Sequence, residues 1–258
     1  MESIKNLTIA SVSGFLIGFA AGLVGVGGGE FRLPVLVGVL GFSIPLAANI
    51  NLLVGILSCA TSLLRRLQTG FYFSNIFDII LPMCLGSIVG GYLGAWLTGK
   101  VKEKYLKAFL AIFLIIIGIK LVTEPLTHVE TVFFPPSPFT IILSVIFGFL
   151  IGIVSGSLGV AGGELRIPTL MYAFSTPIKS AGSASLLISI PTVVSGAFKH
   201  IKMGHLNKEG KIICLAMGLP AVAGAFLGAS MLHAVSEDFL KILLGIILLL
   251  ATIRVIKP

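Results

Sequence analysis

GFLIGFAAGLVGVGGGEFRLPVL (14–36) decides the architecture, because GFLIGIVSGSLGVAGGELRIPTL (148–170) repeats it 134 positions later with 14 of 23 residues identical. Similarity at one long period means that a single unit has been used twice. The same register aligns Asn51-Leu-Leu with Ser185-Leu-Leu, Gly70 with Gly204, Leu93-Gly-Ala with Leu227-Gly-Ala, Lys107 with Lys241 and Lys120 with Arg254. One small gap is needed, near Pro45 and Pro177. The halves are therefore 1–126 and 127–258, joined by the Pro-rich linker FFPPSPF (133–139).

Each half is too apolar for water. Of 258 residues, 56% are apolar and 11% charged, with a mean hydropathy of +1.10; a soluble domain carries about 25% charged residues. No Asp, Glu, Lys or Arg occurs in 6–29, 33–64, 79–99, 131–163, 180–198 or 212–236. Each window can supply the roughly 20 helical residues that cross a hydrocarbon core. Two shorter windows, 108–119 and 242–253, are bracketed by Lys107 and Lys120 and by Lys241 and Arg254, whose long stems reach the interface. Runs such as FLAIFLIIIGI (109–119) lack the alternation of a transmembrane barrel. The predicted fold is all-α, one polytopic domain in the inner (plasma) membrane. Lys5 ahead of an apolar run imitates a signal peptide, but the internal copy at 148–160 argues that this run is structure and is retained. The net charge of +8 sits in short loops, which reads as a positive-inside bias and not as a nucleic-acid surface. Cys59, Cys84 and Cys214 show no CxxC spacing, so no disulfide scaffold follows.

Each half reads as one interrupted segment followed by three spans: 8–41, 45–66, 75–98 and 103–122, then 139–174, 177–199, 209–232 and 237–256. Gly25, Gly27, Gly28 and Gly29, followed by Pro34, cannot hold an ordinary helix. If the interrupted segment is a re-entrant hairpin, each half crosses three times and the halves are inverted. If it is a full span with a loop, each half crosses four times and the halves are parallel. With the amino end inside, the inverted arrangement puts 12 basic residues inside and 6 outside, against 10 and 8 for the parallel one. Inversion is favoured on that count, and it places Lys100, Lys102, Lys104 and Lys107 in the cytoplasm. Glycines recur at spacing four: Gly14, Gly18, Gly22; Gly86, Gly90, Gly94; Gly148, Gly152, Gly156; Gly224, Gly228. Such ridges let helix backbones approach closely in lipid; packing within the chain is the expected use, a homodimer seam the alternative.

Chemistry concentrates in the paired GG-E-x-R-x-P elements, Gly28 to Pro34 and Gly162 to Pro168. A charge at membrane depth costs several kcal/mol, so Glu30, Arg32, Glu164 and Arg166 should be paired or should face a watery cavity. Backbone N–H groups in the turns of Gly28, Gly29, Gly162 and Gly163, with helix N-termini expected near Arg32 and Arg166, would line a site for a small anion. An interfacial role in holding each turn together is the alternative; retention of the same costly residues in both halves favours function. On the next helix, Asn49, Asn51, Ser58, Thr61 and Ser62 in one half and Ser183, Ser185, Ser189, Thr192 and Ser195 in the other have spacings suited to lining a path. Asn49, Asn51, Ser183 and Ser185 join the candidate substrate-binding set. GAWLTGK (94–100) imitates a P-loop, but Val101 stands in the Ser/Thr place. His200 and His205 read as a solvated basic loop, and Asp78 as an acid at a helix start. No HExxH or GxSxG string occurs; no cofactor, metal or enzyme chemistry is predicted.

The twin GxGGGExRxP and GxAGGExRxP elements, with the length and the duplication, resemble the TauE/SafE family of sulfite exporters. That resemblance covers nearly the whole chain and implies a permease for sulfite, sulfoacetate, thiosulfate or a related anion, with export the leading direction. It places the substrate near Gly28, Gly29, Glu30 and Arg32 and near Gly162, Gly163, Glu164 and Arg166. Ala161, where the first half has Gly27, departs from an equal pair of turns. Uptake, exchange of carboxylates, a proton-coupled cation carrier using Glu30 and Glu164, and, least supported, a membrane enzyme remain as rival readings.

Overall fold

The computed structural model describes residues 2–71, 75–97, 103–127, 138–202 and 208–256. Lys100, Lys102, Gly204, His205 and linker residues 133–137 lie outside the described residues. All regular structure among the described residues is helical. The first half contains α1 (Glu2–Val24), α2 (Gly29–Pro34) running into a π-helical turn (Val35–Val39), α3 (Ile44–Gln68), a second π turn (Ile76–Ile80) leading into α4 (Leu81–Leu97), and α5 (Glu103–Thr127). The second contains α6 (Pro138–Leu158), α7 (Gly163–Ala173), α8 (Ile178–Lys202), α9 (Lys208–Ser230), a 3-10 turn (Leu232–Ala234) and α10 (Glu237–Ile256). Six of these elements, Ile4–Val24, Ile44–Gln68, Ile76–Leu97, Phe139–Leu158, Ile178–Lys202 and Glu209–Ala234, are long and apolar enough to cross a membrane. The molecule is a multi-pass membrane protein.

Its packing exchanges helices between the halves. Gly14, Gly18 and Gly22 on α1 lie on the backbone of Met217, Ala221 and Ala225 on α9. Gly86, Gly90 and Gly94 on α4 lie on Val145, Phe149 and Ile153 on α6, and Gly148, Gly152 and Gly156 answer from α6 onto Met83, Ser87 and Gly91. The contact numbers rise together in both seams, so each pair of helices runs parallel. A methyl at any of these glycines would meet a carbonyl oxygen. The ridges are therefore consumed inside the chain, which removes them as the basis for a homodimer seam. Gly90→Leu should force α4 from α6 and lower stability by at least the 1–3 kcal/mol typical of overpacking, about the scale that a melting curve in detergent resolves. Gly38→Ala is the control, since nothing stands within 4 Å of its missing Cβ.

The other pairs run antiparallel. On α3 and α8, Arg66 reaches Ser183 while Leu52 touches Gly196. On α5 and α10, Gly118 faces Gly245 and Glu124 binds Lys241 at 2.9 Å; Tyr172 of α7 donates to the second Glu124 carboxylate oxygen at 2.6 Å. Helices α1 and α3 start at the same end. Ala10 shares a cluster with Ala47 and Ile50 there, while Gly22 and Arg66 meet at the opposite end. The short α2 and its π turn thus return the chain to the side where α1 begins.

His200 differs from the sequence expectation. It is fully buried as part of α8, because the helix runs on to Lys202 and carries this position inward.

Candidate functional site

Two glycines in the left-handed region start the short helices. Gly28 (φ 74°) caps α2 and Gly162 (φ 76°) caps α7, a conformation that a side chain adopts only at a cost of roughly 1–2 kcal/mol. Both helices start at Gly29 and Gly163, three residues before the arginines near which the sequence placed them. The two turns meet in the buried interior. A Cβ on Gly27 would lie 2.6 Å from the Cβ of Ala161, Gly29 packs on Val160, and Gly163 rests on the backbone of Val26. This contact explains why Ala161 departs from Gly27: the junction has room for one methyl, not two.

Asn51 staples the halves together. Its Nδ2 donates to Gly159 O at 2.7 Å and to Gly29 O at 3.1 Å, while its Oδ1 accepts from Arg32 Nε at 2.9 Å. Arg32, with no exposed surface, also donates from Nη1 to Ser58 Oγ at 3.0 Å and from Nη2 to Gly27 O. Its bonds described here therefore all end on neutral acceptors. Arg166 is equally buried, but its hydrogen bonds leave from Nη1 alone, to Ser189 Oγ at 2.6 Å, Ala161 O at 3.3 Å and Ser185 O at 3.4 Å. Its Nε and Nη2, and the Ser185 hydroxyl, have no partner among the described residues.

Each glutamate interacts electrostatically with the arginine of its own element, Glu30 with Arg32 and Glu164 with Arg166. Glu30 and Glu164, 6% and 1% exposed, also lie near enough for their carboxyls to interact across the junction of the turns.

A family model described as "Sulfite exporter TauE/SafE" matches residues 2–121 and 143–258. The chain belongs to the TauE/SafE family. Similar proteins include three of Bacillus subtilis (strain 168), each called a probable membrane transporter protein. YdhB is 32% identical over 114 residues, 44% of this chain and 45% of that protein. YunE is 28% identical over 108 residues, 42% and 38%, and YtnM 32% over 110 residues, 43% and 35%. The chain thus spans less than half the length of each relative in these matches. No solved structure matches it.

In this TauE/SafE chain the structure brings together Gly28, Gly29, Glu30, Arg32 and Asn51 of one half with Gly162, Gly163, Glu164, Arg166 and Ser185 of the other. Asn49 is fully buried on α3, and its amide atoms find no partner among the described residues. Ser183 stands elsewhere, accepting from Arg66 Nη1 at 2.9 Å. Arg66 is the residue that sequence reasoning missed. Fully buried, it donates from Nη2 to Gly22 O and Leu23 O at 2.9 and 3.1 Å, joining the end of α1 to the start of α8.

Proposed function

We propose that this protein is a transporter that carries a small sulfur-containing anion such as sulfite, sulfoacetate or thiosulfate across the cell's inner membrane, most simply in export. The observation that carries this reading is the pair of wholly buried guanidinium groups flanking the junction of the two glycine turns. A cationic side chain at membrane depth is by default a sign of a pathway or a ligand site, and positive charge at the junction of the turns favours an anion over a cation. The family description and the relatives' names agree with transport. Irregular backbone at that depth is tolerated only against protein or a cavity, as both turns are here.

The halves, 1–126 and 127–258, are read as inverted repeats, each with a re-entrant segment. Support comes from α1 and α3 starting at one end and from the parallel α1/α9 and α4/α6 seams, which together make α1 and α6 antiparallel. Single cysteines placed in 98–102 and 203–207 should then label from the same side as the amino terminus. Labelling from opposite sides would sink the inverted arrangement.

The test of function is a thermal-shift and flux screen of the purified chain against sulfite, thiosulfate, sulfoacetate, taurine, dicarboxylates and sulfate. A ligand at 100 times its Kd stabilises the folded state by about 2.7 kcal/mol. A sulfur oxyanion should give the largest shift. Stabilisation by dicarboxylates alone would move the substrate class, and stabilisation by cations alone would remove the anion reading. Glu164, buried near Glu30, favours a coupled proton in addition: two negative charges in a low dielectric repel strongly, and a proton on Glu164 relieves this.

A further inference from the structure

We infer that the two arginines are not equivalent: Arg166 is the residue that grips the transported oxyanion, through the Nε–Nη2 edge of its guanidinium with the Ser185 hydroxyl beside it, while Arg32 is a structural tie. This rests on the anion reading above. The two residues sit at matching places in the repeat and are equally buried, so the difference lies in what surrounds them. On Arg32, the edge formed by Nε and Nη2 is filled by Asn51 Oδ1 and Gly27 O. On Arg166, neither atom of the same edge has an acceptor among the described residues.

One substitution between the halves accounts for this. Ser185 stands where the first half has Asn51. A serine lacks the carboxamide whose oxygen reaches the arginine Nε, and its own Oγ lies buried with no partner among the described residues. Arg166 instead turns Nη1 onto Ser189 Oγ, Ala161 O and Ser185 O, which anchors the group by one nitrogen and leaves the edge free. The first-half counterpart of Ser189 is Gly55, so this second anchor is also particular to the Arg166 side. Leaving two charged donors unsatisfied in the interior is costly, and an oxyanion bound at that edge would relieve the cost.

The free edge carries two N–H groups pointing the same way in one plane. That fork matches two oxygens on one central atom, as in a sulfite, a sulfonate, the sulfonyl end of thiosulfate or a carboxylate. It does not match a halide, which offers a single point of contact. The Ser185 hydroxyl adds a neutral donor for a further oxygen. Glu164, two residues before Arg166, interacts electrostatically with it and with Glu30 but makes no hydrogen bond to that edge.

The experiment converts the second-half site into the first-half one. Ser185→Asn supplies the carboxamide that Asn51 supplies to Arg32, so the protein's own oxygen competes for Arg166 Nε. Purified full-length chain is titrated with thiosulfate, sulfite and sulfoacetate by calorimetry, and its melting temperature is recorded. Ser185→Asn should weaken binding of these anions tenfold or more while the melting temperature holds or rises. Arg166→Lys, which retains the charge and loses the fork, should also weaken binding at least tenfold in folded protein. Arg32→Lys should chiefly lower the melting temperature, and in the remaining folded protein it should weaken binding clearly less than Arg166→Lys does. Wild-type affinity in Ser185→Asn, as expected if only water occupies that edge, overturns the inference. So does an affinity loss in folded Arg32→Lys equal to that in Arg166→Lys, and this reading can be taken even if Ser185→Asn fails to fold. If wild type binds none of the anions, the functional reading fails, and this inference with it; wild-type binding with an indifferent Arg166 fails the inference alone.

Discussion

Arg66→Ala is expected to be the most destabilising single substitution among the charged residues described. The α1 helix ends at Val24, so the Gly22 and Leu23 carbonyls belong to the last turn, whose acceptors have no partner within the helix. Arg66 Nη2 satisfies both, and its Nη1 holds Ser183 Oγ and Lys179 O at 2.9 and 3.4 Å. Each acceptor left buried and unmade costs about 1–3 kcal/mol, so loss of the side chain should lower stability by roughly 2–5 kcal/mol after allowance for the relief of not burying a charge. The expected result is a melting temperature many degrees lower and a poorly monodisperse preparation. Its neighbour is the control. Arg65 donates to Ser230 Oγ at 2.7 Å and lies 4.9 Å over the Phe226 ring, but it is partly exposed, and Arg65→Ala should cost about 1 kcal/mol or less. Equal melting temperatures for the two variants would show that Arg66 does not hold α1 to α8.

The contrast between these neighbours shows where sequence reading stops. Hydropathy and glycine punctuation located the long helices, because span length and helix interruption depend on local composition: the segments predicted at 45–66, 177–199 and 237–256 stand as Ile44–Gln68, Ile178–Lys202 and Glu237–Ile256. Charge-free windows treat Arg65 and Arg66 alike, as the residues that close a span. Which of two adjacent arginines turns inward depends on the helix rotation, and that is set by packing on α1 and α8. Internal comparison gave no help, because the repeat partner of Arg66 is His200, buried too but chemically different. The paired elements stood out in the sequence because both halves keep Glu and Arg, and the structure brings the two elements together. Their wiring was not legible: the arginines turn to the polar faces of α3 and α8, and the carboxyls come near each other only through tertiary contact between the two turns. Asn51 and Ser185 were both visible as polar residues at matching places, yet the consequence of exchanging one for the other emerges only beside Arg32 and Arg166.

Glu30→Gln and Glu164→Gln are expected to abolish the pH dependence of anion binding while leaving binding itself intact. The pair is faced by Arg32 from α2 and Arg166 from α7, with the thiol of Cys59 on α3 near enough to interact electrostatically with Glu30 and with both arginines. Cys59 and the arginines are fully buried. A proton on Glu164 makes the site more positive by one charge and so favours an arriving anion. By reciprocity the anion favours the proton to the same degree. The sign follows: wild-type affinity for the anion should rise as pH falls, and coupling of ordinary strength, 1–3 kcal/mol, corresponds to about 5–150-fold in affinity. Thiosulfate is the ligand to use, because its charge is constant through the neutral range whereas that of sulfite is not. Glutamine keeps the size and removes one negative charge, so each variant has the site charge of the protonated form at every pH. Affinity in either variant should therefore match the low-pH wild-type value and vary little between mildly acidic and mildly alkaline buffer. A purely structural pair gives a different pattern, with reduced melting temperature and wild-type pH dependence in the protein that still folds. Should both variants retain the full pH dependence, the carboxyls do not carry the coupled proton, and Cys59→Ala becomes the next substitution to measure.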